Sequence, residues 1–560
     1  MNWVKSVFTT LAERQESIPG ALYDIPSYET PGTCLPEIAN LALLAELLTK
    51  RLTNRNIVIF GDYDVDGIFS MGIMQKSLLF LGRFAEAVSG KPASTVEIMV
   101  PDRFQEGYGF SVAHAAKIHK STILLLDNGI VQYDAILKAK ENGNEVFVVD
   151  HHEPGDRLPD ADVIVNPHAI SGGAYDNYCA AGLSYRLARA MFEGKWLDSV
   201  VDAAVKAEAM QEFLFMAAIA TVADVVPLLW ENRVIVREGM KTIPQHWKNI
   251  CFSLMDSEKP YLNEGDVAFK IAPAINAVGR LGELNKEFVE ELMTAENTEQ
   301  ISAQMQYMNH ERKQMTKRIL KALRLPDPRA KVIVVQDDTI TTGIAGIIAG
   351  HLAEKHGKPV FVFSKANDGM ITGSARAAKG TLHLKNLLDE ISAKNPGLLS
   401  RYGGHESAAG VTISADKLSV FTESANSLAD YKPITERVYD FELGQYDWFD
   451  VYDNLQKFAP YGEGNPSPIL HFHVTGEENK VTVMAKEHLK IQHGNYEAVG
   501  FNMADKANLG CLEYDLYGTL QMNEYRGSCR VQLNIVDFEQ PKEEAAPATD
   551  FSNALAACFG

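Results

Sequence analysis

The sequence has little cysteine, and its cysteines form no pattern. Cys34, Cys179, Cys251, Cys511, Cys529 and Cys558 are widely spaced in 560 residues and include no C-x-x-C pair. A disulfide framework and a thiolate zinc site are both disfavoured, and a reducing compartment fits. No apolar run reaches the roughly 18 residues that a membrane-crossing helix needs. Residues 1–15 lack a continuous signal-peptide core. The expectation is a cytoplasmic protein without a membrane partner. An excess of positive charge is missing too: 53 Lys and Arg face 73 Asp and Glu, a net charge of −20. That excludes a uniformly basic nucleic-acid coat, but not a locally basic groove.

What is present is ordinary for a globular protein: 46% apolar and 22% charged residues. The length suggests about three or four domains. Residues 1–40 are rich in turn formers and read as an N-terminal extension. Over 41–290, short continuous apolar strands (57–60, 96–100, 122–126, 145–149 and 163–165) alternate with helical stretches at 68–81, 133–141, 180–193 and 209–220. Such strands imply a buried, mostly parallel α/β sheet. Residues 291–326 are rich in helix formers and read as a long connecting helix. A smaller α/β domain follows over 327–432, with a Gly-rich segment at 402–410. From 433 to 540 short β-like runs separated by turns suggest a small barrel. Residues 541–560 have the composition of a disordered tail.

The chemistry-bearing residues lie where strands end. The strand at 57–60 runs into Gly61-Asp62-Tyr63-Asp64-Val65-Asp66-Gly67, three carboxylates in five residues. The next strands end in Asp127-Asn128-Gly129 and Asp150-His151-His152, and a later apolar stretch leads to Asp224. In open α/β sheets the carboxyl edge is where sites are built. Clustered carboxylates repel unless cations neutralise them. Asp oxygens with a minority of His nitrogens suit Mn²⁺ or Mg²⁺. Two such ions can activate a water and clamp a phosphodiester, so the residues read as a two-metal phosphohydrolase.

These segments, with Thr221-Val222-Ala223-Asp224, resemble the four metal motifs of the DHH phosphoesterase superfamily. Residues 273–281 (PAINAVGRL) resemble the next motif of its exonuclease branch. Gly403-Gly404-His405-Glu406-Ser407-Ala408-Ala409-Gly410 resembles the signature of the partner DHHA1-type domain, and 459–466 (APYGEGNP) the entry to a C-terminal OB fold. The resemblance covers roughly residues 50–540. It implies a DHH domain with a mostly parallel sheet, a connecting helix, an α/β DHHA1-type domain and an OB-fold β-barrel. It also implies a 5′→3′ exonuclease on single-stranded DNA that releases 5′-mononucleotides in repair and recombination.

By the same resemblance Asp64, Asp66, Asp127, His151 and Asp224 hold two divalent ions, Mn²⁺ or Mg²⁺. His152 stands near the scissile phosphate, with Asp150 and Asp62 as ligands or as supports of ligands. Substrate contacts fall to Arg103, Tyr108, Asn276, Arg280, Ser374, Arg376, Gly403, Gly404 and His405. A guanidinium suits a phosphate by paired hydrogen bonds, and glycines let backbone amides approach one. Ala274 stands where relatives often carry Arg, and Ala377 where they often carry Ser; both departures bear on substrate binding, not on metals. The aromatics of 433–540, such as Tyr446, Trp448, Phe449, Phe472 and Tyr496, read mainly as core or turn residues. His471, His473, His488 and His493 read as satisfied surface histidines.

The expected partner is single-stranded DNA, with a single-strand-binding protein or a helicase as candidate protein partners. A nanoRNA or cyclic-dinucleotide phosphodiesterase remains an alternative, although such relatives usually stop after the second domain. A non-catalytic replication scaffold would have lost metal carboxylates, and none is missing here.

Overall fold

The computed structural model describes residues 2–6, 37–101, 109–170, 175–256, 261–294, 297–325, 327–365, 369–444, 446–477, 479–525 and 528–541. The chain forms two compact units. One comprises Ala21–Ile434 together with Pro460–Asn465. The other comprises Met1–Gly20, Thr435–Ala459 and Pro466–Gly560.

The first unit begins with a five-stranded sheet in the order Val96–Met99, Ile57–Phe60, Thr122–Leu126, Glu145–Val149, Val163–Val165, every pair parallel. The three central strands are buried almost throughout. This is why they read as unbroken apolar runs: helices cover both faces of a parallel sheet. On one face lie Val65–Ser89 and Ala180–Phe192, and Ala203–Ala223 packs on both of these. Tyr133–Glu141 packs on the opposite face with Phe60, Leu125 and Val148. All strands point the same way, so their carboxyl ends share one edge.

The helix Thr298–Ala322 runs for 25 residues, as its composition predicts. Beyond it lies a second sheet, in the order Leu399–Gly404, Ala408–Ser414, Met370–Arg376, Val360–Lys365, Ile333–Gln336. Its last pair is parallel and the others are antiparallel. The Gly-rich segment is thus a hairpin, with His405 at its turn.

The second unit carries a seven-stranded sheet, from Phe441–Glu442 at one end to Asn479–Met484 at the other. The sequence suggests a small barrel, and the strands form the sheet of an OB domain without closing it among the described residues. The two end strands do not pair with each other among the described residues. Phe441–Glu442 is only two residues long, too short to carry a second ladder, and closure requires both end strands to bond on both edges. Trp448 and Phe472 are core residues, whereas Tyr446 and Phe449 are exposed. The histidines have partners: His471 meets Glu442 and Asp515, His473 meets Asp515, and His493 meets Asn479.

The extension contributes a strand that the sequence does not betray. Asn2–Lys5 pairs in parallel with Glu436–Tyr439. Trp3 stacks on Tyr517 at 4.1 Å between centroids, with the ring planes nearly parallel, and the Arg437 guanidinium lies over its ring. Trp3→Ala is expected to destabilise this unit by roughly 1–3 kcal/mol, from lost stacking and area. Differential scanning calorimetry should show one transition shifted down, with the other unit's ion binding unchanged.

Candidate metal centre

Each acidic residue is held by the element that delivers it. Asp64 caps the helix Val65–Ser89: its Oδ1 accepts from the amides of Asp66 and Gly67, both at 3.1 Å. The turn before that helix is tight, since a Cβ on Gly67 would stand 2.5 Å from the Asp62 carbonyl. Asp66 is buried, and its two oxygens accept from the amides of Ala180 and Ala181 at 2.7 Å, at the start of the helix Ala180–Phe192. A helix N-terminus stabilises a carboxylate, yet burial and the neighbouring Asp64 win and raise Asp66 to about 6.

Asp127 ends the strand Thr122–Leu126 with φ 59. A non-glycine residue in this left-handed region costs free energy and is retained where the surroundings over-determine it. Burial, then Asp66, Asp64, Asp62 and Asp224, push its carboxyl well above the usual range. Asp224 follows the helix Ala203–Ala223 and is raised well above its usual value by burial and by Asp66 and Asp64. Directly after it, Val225 takes φ 58 while its side chain is 66% exposed. For a β-branched residue this costs of order 1–3 kcal/mol.

His151 joins the pieces. Its Nε2 lies 3.2 Å from Asp127, 3.7 Å from Asp66 and 3.7 Å from Asp224. Burial, the neighbouring His152 and more distant His168 and His405 hold it down to about 3, a neutral imidazole able to ligate a cation. His152 is the opposite case. Burial disfavours its charge, but a 2.7 Å contact to Asp150 and that carboxylate's charge raise it to about 9. Asp150 is buried and fully engaged: Oδ1 accepts from the amides of His151 and His152, and Oδ2 from Ile130. The Asp150–His152 contact and the nearby imidazoles overcome burial and hold Asp150 at about 2.

Three overlapping groups have ligand atoms within 4.8 Å of one another: Asp62, Asp64 and Asp127; Asp66, His151 and Asp224; and Asp127, His151 and His152. The donor set is carboxylate-rich with one or two imidazoles, which fits hard divalent ions such as Mn²⁺ and Mg²⁺. The raised carboxyls point the same way, because a compact carboxylate cluster lacks only positive charge. Asp62 belongs to one of the three groups that could hold an ion, whereas Asp150 belongs to none of them and contacts His152.

The substrate candidates fall into three places. Asn276, in the helix Ala272–Leu281, accepts from the Val65 amide at 2.9 Å and so braces the first acidic turn. In the same helix, Gly279 presses on Tyr63: a Cβ there would stand 2.2 Å from the Tyr63 carbonyl. Arg280 donates to the Gly343 carbonyl at 3.1 Å, at the start of the helix Thr342–His356. Arg376 ends the strand Met370–Arg376, and burial pushes its guanidinium pKa down. Ser374, Gly410 and Gly403 form one row across three strands. Gly403 faces open space, while Gly404 takes φ 139 at the turn into His405. His405 is close enough for its charge to depress His151. Arg103 and Tyr108 lie outside the described residues.

The motifs alone do not disclose the Ala180 and Ala181 amides, the bracing by Asn276, or the Thr342–His356 helix start against Arg280. Their only trace is a run of small residues opening each helix.

Carboxylates and imidazoles gathered at the carboxyl edge of a parallel sheet, with a half-buried arginine on an adjoining α/β domain, define a divalent-metal phosphoesterase of two-domain build. Known families agree. Residues 56–220 match the DHH family, N-terminal domain, residues 329–430 the DHHA1 domain, and residues 439–537 the RecJ OB domain. The chain is 28% identical over 522 residues to the single-stranded-DNA-specific exonuclease RecJ of Haemophilus influenzae, covering 88% of each chain. The crystal structure of RecJ in complex with Mn²⁺ from Thermus thermophilus superposes with a TM-score of 0.75 at 27% identity, covering 93% of this chain and 74% of that one. The Mg²⁺ complex from the same organism gives a TM-score of 0.68 at 25% identity, covering 91% and 72%. Three family models thus match this chain in the order DHH, DHHA1 and RecJ OB, and over most of its length it is similar to RecJ exonucleases.

Proposed function

We propose that the protein is a metal-dependent exonuclease on single-stranded DNA. The observation that carries this reading is the overlap of ion-holding groups around Asp127 and His151, beside a domain that presents Arg376 and a glycine hairpin. Bound there, two divalent cations would lower the pKa of a water and offset phosphate charge. Asp62, Asp64 and Asp127 suit one ion, and Asp66, His151 and Asp224 the other.

The remaining chemistry belongs to side chains. His152, fixed by Asp150 and 41% exposed, is placed to hold or deliver a proton at a phosphate oxygen. Arg280, Arg376 and His405 offset developing negative charge, and the open side of Gly403 lets a phosphate approach the backbone. Exposed Tyr446 and Phe449, at the start of the OB-domain helix Trp448–Gln456, suit base stacking along a strand. The 5′→3′ polarity, mononucleotide products, a role in repair, and a single-strand-binding protein or helicase as partner belong to this proposal. They rest on the resemblance to RecJ.

End-labelled single- and double-stranded DNA, incubated with Mn²⁺, Mg²⁺ or chelator, tests it. Single strands should be digested from the 5′ end far faster than a blunt duplex, and chelator should stop the reaction. Equal rates on both substrates, or activity in chelator, would sink the proposal.

A further inference from the structure

The chain makes a short excursion that the catalytic reading leaves unexplained. Thr435–Ala459 and the chain from Pro466 belong to the unit with the seven-stranded sheet, but Pro460–Asn465 belongs to the unit that holds the carboxylates. Those six residues, PYGEGN, form a closed loop. Gly462 and Asn465 exchange backbone hydrogen bonds of 2.9 and 3.2 Å, and the buried Asn465 amide group donates to the Pro460 carbonyl at 2.9 Å.

The loop lies on the segment between Asp224 and the helix Trp230–Gly239. The Leu228 amide donates to the Glu463 carbonyl at 2.8 Å. Arg233 donates to the Pro460 carbonyl at 3.5 Å, and the Tyr461 amide to Glu264 Oε1 at 2.6 Å. The two glycines are fitted to this surface. A Cβ on Gly462 would stand 2.7 Å from Leu228 Cδ1, and one on Gly464 would stand 2.9 Å from Leu229 Cδ1. Gly464 also takes φ 74. On its other side the loop reaches the DHHA1-type domain, where Lys379 Nζ lies 2.8 Å from Glu463 Oε1.

The segment being held is the strained one. Val225 and Trp230 both have positive φ, and strained backbone persists only where surrounding contacts over-determine it. Val225 is mostly exposed and cannot supply those contacts itself, whereas Leu228 is 2% exposed and lies directly under the loop.

We propose that Pro460–Asn465 is a strap that positions Asp224 for its ion, with Gly462 and Gly464 as the positioning residues and Glu463 as the tie to the DHHA1-type domain. This rests on Asp224 being a metal ligand. The exposed Lys379–Glu463 pair contributes little to holding the strap; the backbone hydrogen bonds and the glycine fit do that.

The test is Mn²⁺ binding to the full chain, measured by titration calorimetry, with thermal melting in chelator as the control for folding. Wild type should bind two ions. Gly462→Val should weaken one of them about tenfold or more, as loss of a support behind a ligand does, and leave the other within about twofold. Hydrolysis should recover as Mn²⁺ is raised. Gly462→Ala should be milder, and adding Leu228→Ala, which clears the clash, should restore the weaker ion. If Gly462→Val does not fold, Gly464→Ala, which sets a Cβ 2.9 Å from Leu229 Cδ1 at a positive φ, should weaken the same ion. Unchanged affinity for both ions in a folded variant would overturn the strap. A wild-type chain that fails to bind two ions would instead overturn the metal reading on which it rests.

Discussion

Asp127→Asn should abolish hydrolysis and, in the absence of metal, make the protein more stable. Asn keeps the shape of the side chain and tolerates the φ of 59 at this position better than Ala does. What it loses is one negative charge at the point where two ion-holding groups overlap. Activity should fall by roughly 10³-fold or more, about 4 kcal/mol of transition-state stabilisation. The gain in stability follows from the same charge. Burial and four neighbouring carboxylates raise the Asp127 pKa well above its unfolded value of 3.8. A group raised in this way supports folding below its unfolded pKa and loses that support as pH rises through the folded pKa. Asn carries no such loss. In chelator the variant should therefore melt above wild type at neutral pH by about 0.5–2 kcal/mol, and the gap should close as pH is lowered toward 4. A variant that keeps more than a small residue of activity would show that Asp127 is not central.

His152→Gln should separate chemistry from ion binding. The ring is fixed by Asp150 at 2.7 Å and lies on the accessible side of the cluster. Removing a positioned proton carrier typically costs about 10²–10⁴-fold, here read as kcat on a short oligonucleotide. Two Mn²⁺ ions should still bind, because Asp62, Asp64, Asp66, Asp127, His151 and Asp224 supply two groups without it. Asp150→Asn should give a smaller loss of about 10–100-fold and shift the pH profile, since His152 would no longer be held near 9. If His152→Gln binds one ion fewer, then His152 is a ligand, within the group it forms with Asp127 and His151.

The acidic motifs were legible because a parallel sheet writes its polarity into the chain. Every buried strand is an apolar run, and whatever follows Phe60, Leu126 or Val149 must stand at the same edge. The long helix Thr298–Ala322 was legible for a similar local reason, a stretch of helix formers. Supports acting across the chain left no such mark. Asn276 reaches Val65 over 211 residues, and Ala180 reaches Asp66 over 114. Neither leaves a periodicity, and a carboxamide or a small residue in a helix looks the same whether or not it braces a site. The excursion of Pro460–Asn465 was visible only as turn residues. Sheet closure in the OB domain was equally beyond reach, because alternation marks which residues face a core but not which edges meet.

The strand Asn2–Lys5 fixes a timetable for making the protein. Its partner Glu436–Tyr439 leaves the ribosome only after the whole intervening domain pair has been made. At about 5–20 residues per second, Asn2–Lys5 waits roughly 20–90 s before it can join its sheet. During that time Trp3 and Val4 have no ladder and no stacking partner. A strand made early is thus among the last to fold, and its unit must close after the intervening one has been synthesised.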